Sequence, residues 1–248
     1  MRMSVVIPYA KGDQLREEAF NRLMESVRVQ TLLDYEVTVV EDGRGGNGHF
    51  AYKKHVNNYI LLNDPQKRHY NKSWCVNAAI RQSAYDHVLV VDADSLFCKD
   101  YFQIVYDYAQ DHHMFFHAYN WIALMPGRDN PVLRMSKHKN IQSTGGTWFT
   151  NKHWFFDKLG GMNENYFGYG CEDGDTWFRA SYLLNHIPEV DYPLIHQYHH
   201  WHEAGGNNPL NTNRSEILNY TQKHPQEVIN KLIAAQVGKS SGPTVIGI

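Results

Sequence analysis

The sequence predicts an α/β fold with a mostly parallel central sheet flanked by helices. Short apolar segments rich in β-branched residues alternate with longer amphipathic ones, which is typical of parallel α/β sheets. Several of these apolar segments are followed by acidic residues, and ligands bind at the carboxyl ends of strands in open α/β sheets. The predicted strands of the first half are Ser4–Ile7, Glu36–Val40, Tyr59–Leu62 and His87–Val91.

Two helices separate these strands and give the order β-α-β-β-α-β. Asp13 is a plausible N-cap for a helix over Gln14–Gln30, in which apolar residues recur every four positions. The second helix is predicted over Asn71–Ala84. The first strand is followed neither by a GxGxxG turn nor by a P-loop lysine motif, which argues against a dinucleotide dehydrogenase and a P-loop kinase.

The second half of the chain has a looser pattern, which predicts a mixed region. Asp175 is the natural N-cap of a helix that begins at Thr176, and residues 125–139 are expected to form a surface loop. We expect a single domain over 1–238, followed by a flexible tail over 239–248 that is rich in Gly and Ser. Its parts are a nucleotide-binding region over about 1–100, an acceptor and catalytic region over about 101–210, and C-terminal helices over 211–238.

Composition excludes several classes of protein. The 248 residues carry a formal net charge of −2, so nothing suggests a basic surface for nucleic acid or a membrane-binding face. The 3 cysteines are scattered and indicate neither a disulfide framework nor a cysteine-based zinc site. The chain shows no signal peptide and no apolar run long enough to span a bilayer, so we expect a cytoplasmic protein without an integral membrane segment.

Asp92 and Asp94 follow the strand His87–Val91 and are one residue apart. In an extended segment such side chains point to the same side, so both carboxylates could converge on one ligand. Two hard oxygen anions side by side suit Mg²⁺ or Mn²⁺ with a phosphorylated ligand. A solvated turn that closes the strand is the alternative.

Three further clusters carry acids or imidazoles. Glu41 and Asp42 end the second strand, at the same sheet edge, and could bind a base or a ribose hydroxyl or simply form a turn. The segment 160–173 mixes glycines and aromatics with Glu172 and Asp173, which are available for chemistry if Asp175 caps the helix. Four histidines fall within residues 196–202, as a metal site or as a solvated polar loop.

Taken together, these residues resemble glycosyltransferases of the GT-A fold. The chain is similar to family-two-like enzymes, and its C-terminal region is similar to galactosyltransferases and polypeptide N-acetylgalactosaminyltransferases. The matching pieces occur in the family's order over roughly residues 4–202. They are Val5-Val6-Ile7-Pro8-Tyr9, Val39-Val40-Glu41-Asp42-Gly43, Asn77, Val91-Asp92-Ala93-Asp94, Gly145-Gly146 ahead of Trp148-Phe149, Gly160-Gly161-Met162-Asn163-Glu164, Gly170-Cys171-Glu172-Asp173, and His196 with His199.

The resemblance implies a Rossmann-like GT-A fold and a nucleotide diphosphate sugar donor, most often a UDP-sugar. Asp173 would be the general base, Glu172 would hold a hydroxyl, and transfer would proceed by single displacement with inversion. Mn²⁺ or Mg²⁺ would bind Asp94, with Asp92 shared between metal and ribose, and with His199 or else His196 as an added ligand. The donor pocket would comprise Pro8, Tyr9, Glu41, Asp42, Arg68, Asn77, Asp92 and Ala93, and the acceptor or sugar contacts would be Gly145, Gly146, Trp148 and Tyr169.

Two other functions fit parts of the pattern. A sugar-nucleotide nucleotidyltransferase also uses an α/β sheet and metal-binding carboxylates, but it should carry a glycine-rich basic loop after the first strand, where this chain has only Tyr9-Ala10-Lys11-Gly12. A non-catalytic carbohydrate-binding protein of the same fold would not need Asp92, Asp94 and Asp173. The acceptor stays open among a saccharide, a protein, a small metabolite and a modified nucleobase.

Overall fold

The computed structural model describes residues 2–32, 34–43, 56–66, 68–112, 114–124, 134–137, 145–168, 170–188, 196–199 and 214–247. Its strands are β1 (Met3–Tyr9), β2 (Tyr35–Asp42), β3 (Asn58–Leu62), β4 (His87–Val90), β5 (Ser95–Leu96), β6 (Phe115–His117), β7 (Trp121–Leu124), β8 (Arg134–Lys137), β9 (Trp148–Asn151) and β10 (His196–His199). Its helices are α1 (Gln14–Arg28), α2 (Lys72–Gln82), α3 (Tyr101–Asp111), α4 (Lys152–Asp157), α5 (Glu172–Leu184), α6 (Arg214–Lys223) and α7 (Pro225–Ala235).

The central sheet is mixed, with a parallel half. Its order is β3-β2-β1-β4-β9-β6, and the four strands from β3 to β4 run parallel to one another. β9 is antiparallel to both β4 and β6. A smaller second sheet has the order β5-β10-β7-β8. The α/β fold predicted from the sequence is therefore confirmed.

Helices cover both faces of the central sheet. On one face, Val5 and Ile7 of β1 join a buried cluster with side chains of α1 and α3, such as Phe20 and Phe102. On the other face, Val6 of β1 joins a cluster with side chains of α2, α4 and α5. Because both faces are buried, the strands are apolar at successive positions instead of alternating with polar residues.

The first two helices are capped by side chains, by Asp13 as predicted and by Asn71, which was expected to be the first helical residue. The Asp13 carboxylate accepts a hydrogen bond from the backbone N–H of Arg16 at 2.9 Å. The Asn71 side chain accepts one from the backbone N–H of Trp74 at 2.9 Å, and α2 begins at Lys72. In each case a short polar side chain satisfies a backbone donor that the first turn of a helix leaves unpaired.

Asp175 does not cap α5, so that expectation is wrong. The helix begins four residues earlier than predicted, at Glu172, after Cys171 in a left-handed conformation with φ 72°. Asp175 lies inside the first turn, fully buried, where it accepts hydrogen bonds from Arg179 Nε at 2.8 Å and from Thr221 Oγ1 at 2.7 Å. A buried arginine therefore takes the carboxylate that the sequence pattern assigned to the cap.

Residues 239–247, expected to be a flexible tail, are held by hydrogen bonds and packing. The Lys239 carbonyl accepts a hydrogen bond from the indole N–H of Trp74 at 2.6 Å. Asn165 bonds both the backbone N–H and the carbonyl of Ile246, each at 2.8 Å. The Ile246 side chain is 8% exposed and packs against Val228 and Leu232 of α7. Among the described helices, none combines the length and apolar character needed to cross a membrane.

Candidate active site

Acidic residues meet at the edge where the parallel strands end. β2 and β4 both flank β1 in parallel, so their carboxyl ends lie side by side. β2 ends at Glu41 and Asp42, and Asp92 follows β4 after one residue. The sheet therefore brings together two acidic segments that lie about fifty residues apart in the chain.

A lysine links the acidic residue after β4 to the first turn of α5. Lys72 Nζ lies 2.7 Å from Asp92 Oδ1 and 2.9 Å from Asp173 Oδ2. It also lies 3.2 Å from Asp173 Oδ1. The three side chains are 11%, 22% and 14% exposed, respectively, so the cluster is shielded from water without being closed.

The environment of Asp173 makes it a stronger base than an ordinary carboxylate. Burial is the main cause of a pKa of about 8 for Asp173; the charges of Glu172 and Asp92 act in the same direction, and the Lys72 ammonium acts against them. For Lys72, burial opposes the charged form, but Asp173, Asp92 and Glu172 together hold its pKa well above the usual value. A carboxyl with a pKa near neutrality can take a proton efficiently when it is ionised.

The glycine pair before β9 lies against these acids. The backbone N–H of Gly146 donates a hydrogen bond to Asp92 Oδ2 at 2.8 Å. A Cβ atom on Gly145 would lie 3.1 Å from Asp173 Oδ2 and 3.6 Å from Asp92 Oδ2. A side chain at Gly145 would therefore crowd the Asp173 carboxylate and lie in ordinary contact with that of Asp92.

Two of the residues predicted to contact the acceptor, Trp148 and Tyr169, are not seen at the acid cluster. Trp148 lies in the core and Tyr169 lies outside the described residues. Trp148 is 1% exposed and packs in the core, with its ring centroid 5.3 Å from that of Phe115. It does not face a ligand, because β9 lies inside the sheet and the cluster under α4 and α5 covers it.

The predicted donor residues at the ends of β1 and β2 are buried and hydrogen-bonded. Glu41 is fully buried and accepts a hydrogen bond from the Tyr59 hydroxyl at 2.5 Å. Pro8 is buried in β1. The hydroxyl of the following residue, Tyr9, donates a hydrogen bond to Glu17 at 2.9 Å. Asp42 is 4% exposed and accepts the backbone N–H of Asn71 at 3.2 Å.

Arg68 is held beside this edge by two partners. Its Nε donates to Asp64 Oδ2 at 2.7 Å, and its guanidinium lies 4.7 Å from the ring centroid of Phe167. Its side chain is 27% exposed. Arg68 therefore keeps a solvent-facing part beside the loop that precedes α2.

Asn77 is a structural residue, contrary to the prediction that it binds the donor. It is fully buried, and its amide donates to Met162 O at 2.8 Å and to Glu164 Oε1 at 2.9 Å. Its carbonyl oxygen accepts from Met162 N at 2.9 Å. Asn77 thus fixes the loop before α5 to α2, and burial leaves it no surface for a nucleotide.

The four residues predicted to bind a metal have different surroundings. Both oxygens of Asp92 accept a hydrogen bond, one from Lys72 and one from the backbone N–H of Gly146. Asp94 is half-buried and precedes β5, in which Ser95 is registered with His199 of β10. His196 is registered with Trp121 instead, at the other end of β10.

The backbone register therefore brings His199 next to Asp94. The side chains of both histidines lie outside the described part of the chain. Among the described side chains, no three acidic, imidazole or thiol groups are close enough to hold a metal ion together.

Glu172 and Ala93 complete the predicted set. Glu172 is 7% exposed, and its Oε2 has no hydrogen-bond partner among the described residues. A buried carboxylate oxygen without a donor is costly, which suits an atom that a substrate hydroxyl completes. Ala93 lies half-buried between Asp92 and Asp94.

Lys72 is the site residue that sequence reasoning missed. It is the first residue of α2, and a cation is disfavoured there by the helix dipole. A lysine directly after an N-cap asparagine is the signal that could have drawn attention to it. Its acidic partner Asp173 lies 101 residues away, so the sequence alone gave no reason to pair them.

Comparisons with known proteins agree with this architecture. The family model described as glycosyl transferase family 2 matches residues 4–183. No curated protein sequence matches the chain.

Crystal structures of S. aureus TarS resemble the chain in fold. One has a TM-score of 0.60 and 16% identity, and covers 95% of this chain and 43% of the TarS chain. TarS 1–349 in complex with UDP has a TM-score of 0.58 and 17% identity, and covers 94% of this chain and 70% of its own. TarS 1–349 in complex with UDP-GlcNAc has a TM-score of 0.59 and 15% identity, and the match covers 95% of this chain and 72% of the TarS chain. The chain thus spans less than half of the longer TarS chain.

Proposed function

Because the chain belongs to glycosyl transferase family 2, we propose that it transfers a sugar from a nucleoside diphosphate sugar to an acceptor hydroxyl by a single, inverting displacement. The family match favours this reaction over nucleotidyl transfer and over non-catalytic carbohydrate binding. A UDP-sugar is the proposed donor, since the similar TarS fold is known with UDP and with UDP-GlcNAc. The likeness of the C-terminal region to galactosyl- and N-acetylgalactosaminyltransferases, and a cytoplasmic location, stay predictions.

The observation that carries the proposal is the placement of Asp173. It lies in the first turn of α5, ion-paired to Lys72, at the edge where β2 and β4 end. Its raised pKa suits a general base. Asp173 takes the proton of the acceptor hydroxyl as that oxygen attacks the anomeric carbon, and the nucleoside diphosphate departs from the opposite face. Inversion follows because no second nucleophile takes part in such a displacement.

Glu172 is proposed to bind a sugar or acceptor hydroxyl. Its buried Oε2 accepts that hydroxyl's hydrogen bond, which would orient the substrate beside Asp173. Asp42 and Glu41, at the end of β2, would border the nucleoside, together with Pro8 and Arg68. Because both carboxylates are buried, Asp42 would act by holding the Asn71 backbone and Glu41 by holding the Tyr59 hydroxyl.

Asp94 and His199 are proposed to hold Mn²⁺ or Mg²⁺. A carboxylate that follows a strand end, with an imidazole-bearing residue on the neighbouring strand, is a suitable donor set for such an ion. When bound, the ion would neutralise charge that develops on the departing diphosphate. Asp92 is assigned to Lys72 and Gly146 instead, and so supports the cluster around the base.

The experiment is a donor screen followed by two substitutions. Nucleotide sugars, starting with UDP-GlcNAc, are tested for Mn²⁺-dependent release of nucleoside diphosphate and for thermal stabilisation. Asp173→Asn should abolish turnover and keep UDP binding, because the base is removed without loss of donor contacts. Asp94→Ala and EDTA should each abolish turnover through the metal. The exposed Asp107 on α3 gives a matched control, since Asp107→Asn removes a carboxylate that is hydrogen-bonded to Gln103 of the same helix and takes no part in the acid cluster.

Each assignment has an outcome that contradicts it. Full turnover by Asp173→Asn removes Asp173 as the base. Activity that is unchanged in EDTA removes the metal. A chain that neither binds nor cleaves any nucleotide sugar in the panel refutes the proposed donor class.

A further inference from the structure

The Lys72 ammonium lies at the junction of three chain segments. α2 carries the lysine, the residues after β4 carry Asp92, and the first turn of α5 carries Asp173. The start of α2 is itself fixed, because Asn71 N donates to Asp42 Oδ2 at 3.2 Å and Asn71 Nδ2 donates to Glu164 O at 2.7 Å. The backbone next to Lys72 is therefore held in place by two hydrogen bonds of Asn71.

Two carboxylates face this ammonium at hydrogen-bonding distance. An ammonium group has three N–H donors. Around it lie Asp92 Oδ1 at 2.7 Å, Asp173 Oδ2 at 2.9 Å and Asp173 Oδ1 at 3.2 Å. Since both oxygens of Asp173 face one nitrogen, the plane and distance of that carboxylate are defined by Lys72. The two carboxylates therefore occupy two of the three N–H groups, one for each acid.

We propose that Lys72 is a positioning residue, which holds the Asp173 carboxylate in register with Asp92 and so supports turnover without contributing to donor binding. This inference rests on the proposed function of Asp173. The contrasting role is that of a diphosphate ligand, in which the ammonium would direct its remaining N–H at a phosphate oxygen. The two roles differ in which kinetic constant they move.

The test compares Lys72→Met and Lys72→Arg with the natural protein. UDP-GlcNAc, or the donor that the screen selects, is the substrate, water or the best acceptor takes the sugar, and UDP binding is measured separately by calorimetry. Lys72→Met should lower kcat by roughly a hundredfold, as expected for a displaced catalytic group, with the Kd for UDP within about threefold of its natural value. Lys72→Arg should recover at least tenfold of that loss, because a guanidinium can still bridge two carboxylates.

Lys152 provides a matched control on α4. Its Nζ donates to the carbonyls of Arg81 at 3.0 Å and Ser83 at 2.8 Å, outside the acid cluster. Lys152→Met removes a hydrogen-bonded lysine of the same kind and should leave kcat unchanged. If Lys72→Met fails to fold, Lys72→Gln replaces it in the comparison with Lys72→Arg, and the tenfold difference in kcat remains the criterion.

Two results would overturn the inference. A tenfold or greater rise in the Kd for UDP, with kcat restored at saturating donor, would make Lys72 a donor ligand. A kcat within threefold of the natural value in Lys72→Met would show that Asp173 needs no such support. These failures are separate from failure of the proposed function, since in both of them the natural protein turns over and Asp173→Asn does not.

Discussion

Substitution of Asn77 by alanine separates a structural role from a donor-binding role. The side chain is fully buried and bonds both the N–H and the carbonyl of Met162, in addition to Glu164. Alanine keeps the backbone of α2 and removes all three hydrogen bonds. Two neutral backbone groups of Met162 are then buried without a partner.

The expected loss of stability follows from those two groups. Each buried unsatisfied group costs about 1–3 kcal/mol, which gives about 4 kcal/mol for the pair. Glu164 adds little to this sum, because Gly238 N and Thr244 N still donate to it. A loss of about 4 kcal/mol is a large share of the roughly 5–15 kcal/mol that stabilises a typical domain.

Urea denaturation followed by tryptophan fluorescence measures this loss, and UDP binding by the folded protein measures the donor site. We expect Asn77→Ala to lower the unfolding free energy by about 4 kcal/mol and to leave the Kd for UDP unchanged. The exposed Asn58 on β3 is the control, because its amide bonds to Glu36 and Thr38 occur at the sheet edge. Asn58→Ala should cost about 1 kcal/mol or less. An Asn77→Ala protein of natural stability with weakened UDP binding would refute the structural role.

Three further predictions concern the same region. The pKa of about 8 for Asp173 means that the ionised base is lost as pH falls, so kcat/KM should drop roughly a hundredfold from its plateau to pH 6; a flat profile between pH 6 and 9 would contradict this. Gly145→Ala places a Cβ 3.1 Å from Asp173 Oδ2 and should lower kcat about tenfold with little change in Tm, and natural kcat would count against the close approach. Gly238→Ala, at φ +86° and with its Cβ 2.9 Å from the Asn77 backbone, should destabilise by about 2–4 kcal/mol in urea, whereas a stable variant would mean that this contact relaxes freely.

Local patterns in the sequence were sufficient to predict the parallel strands and the edge at which their acidic residues meet. The apolar segments became the four parallel strands, because burial on both faces is visible as successive apolar residues. Asp13 caps its helix as predicted, since a cap is a contact between residues three apart, and Asn71 caps α2 through a contact of the same kind. The acids after β2 and β4 share one edge because parallel neighbours must end on the same side.

The tertiary structure alone decided which polar residues serve the site and which serve the fold. Asn77 and Asp175 are polar residues at positions suited to a ligand or a cap. Asn77 is instead buried against Met162 and Glu164, and Asp175 bonds the distant Thr221 as well as Arg179 on the next turn. Lys72 has no local motif, yet it joins two carboxylates, one of them 101 residues away. The physical reason is that a buried polar group takes its role from whichever donor or acceptor packing brings to it, and that partner is not encoded within a few residues of the group itself.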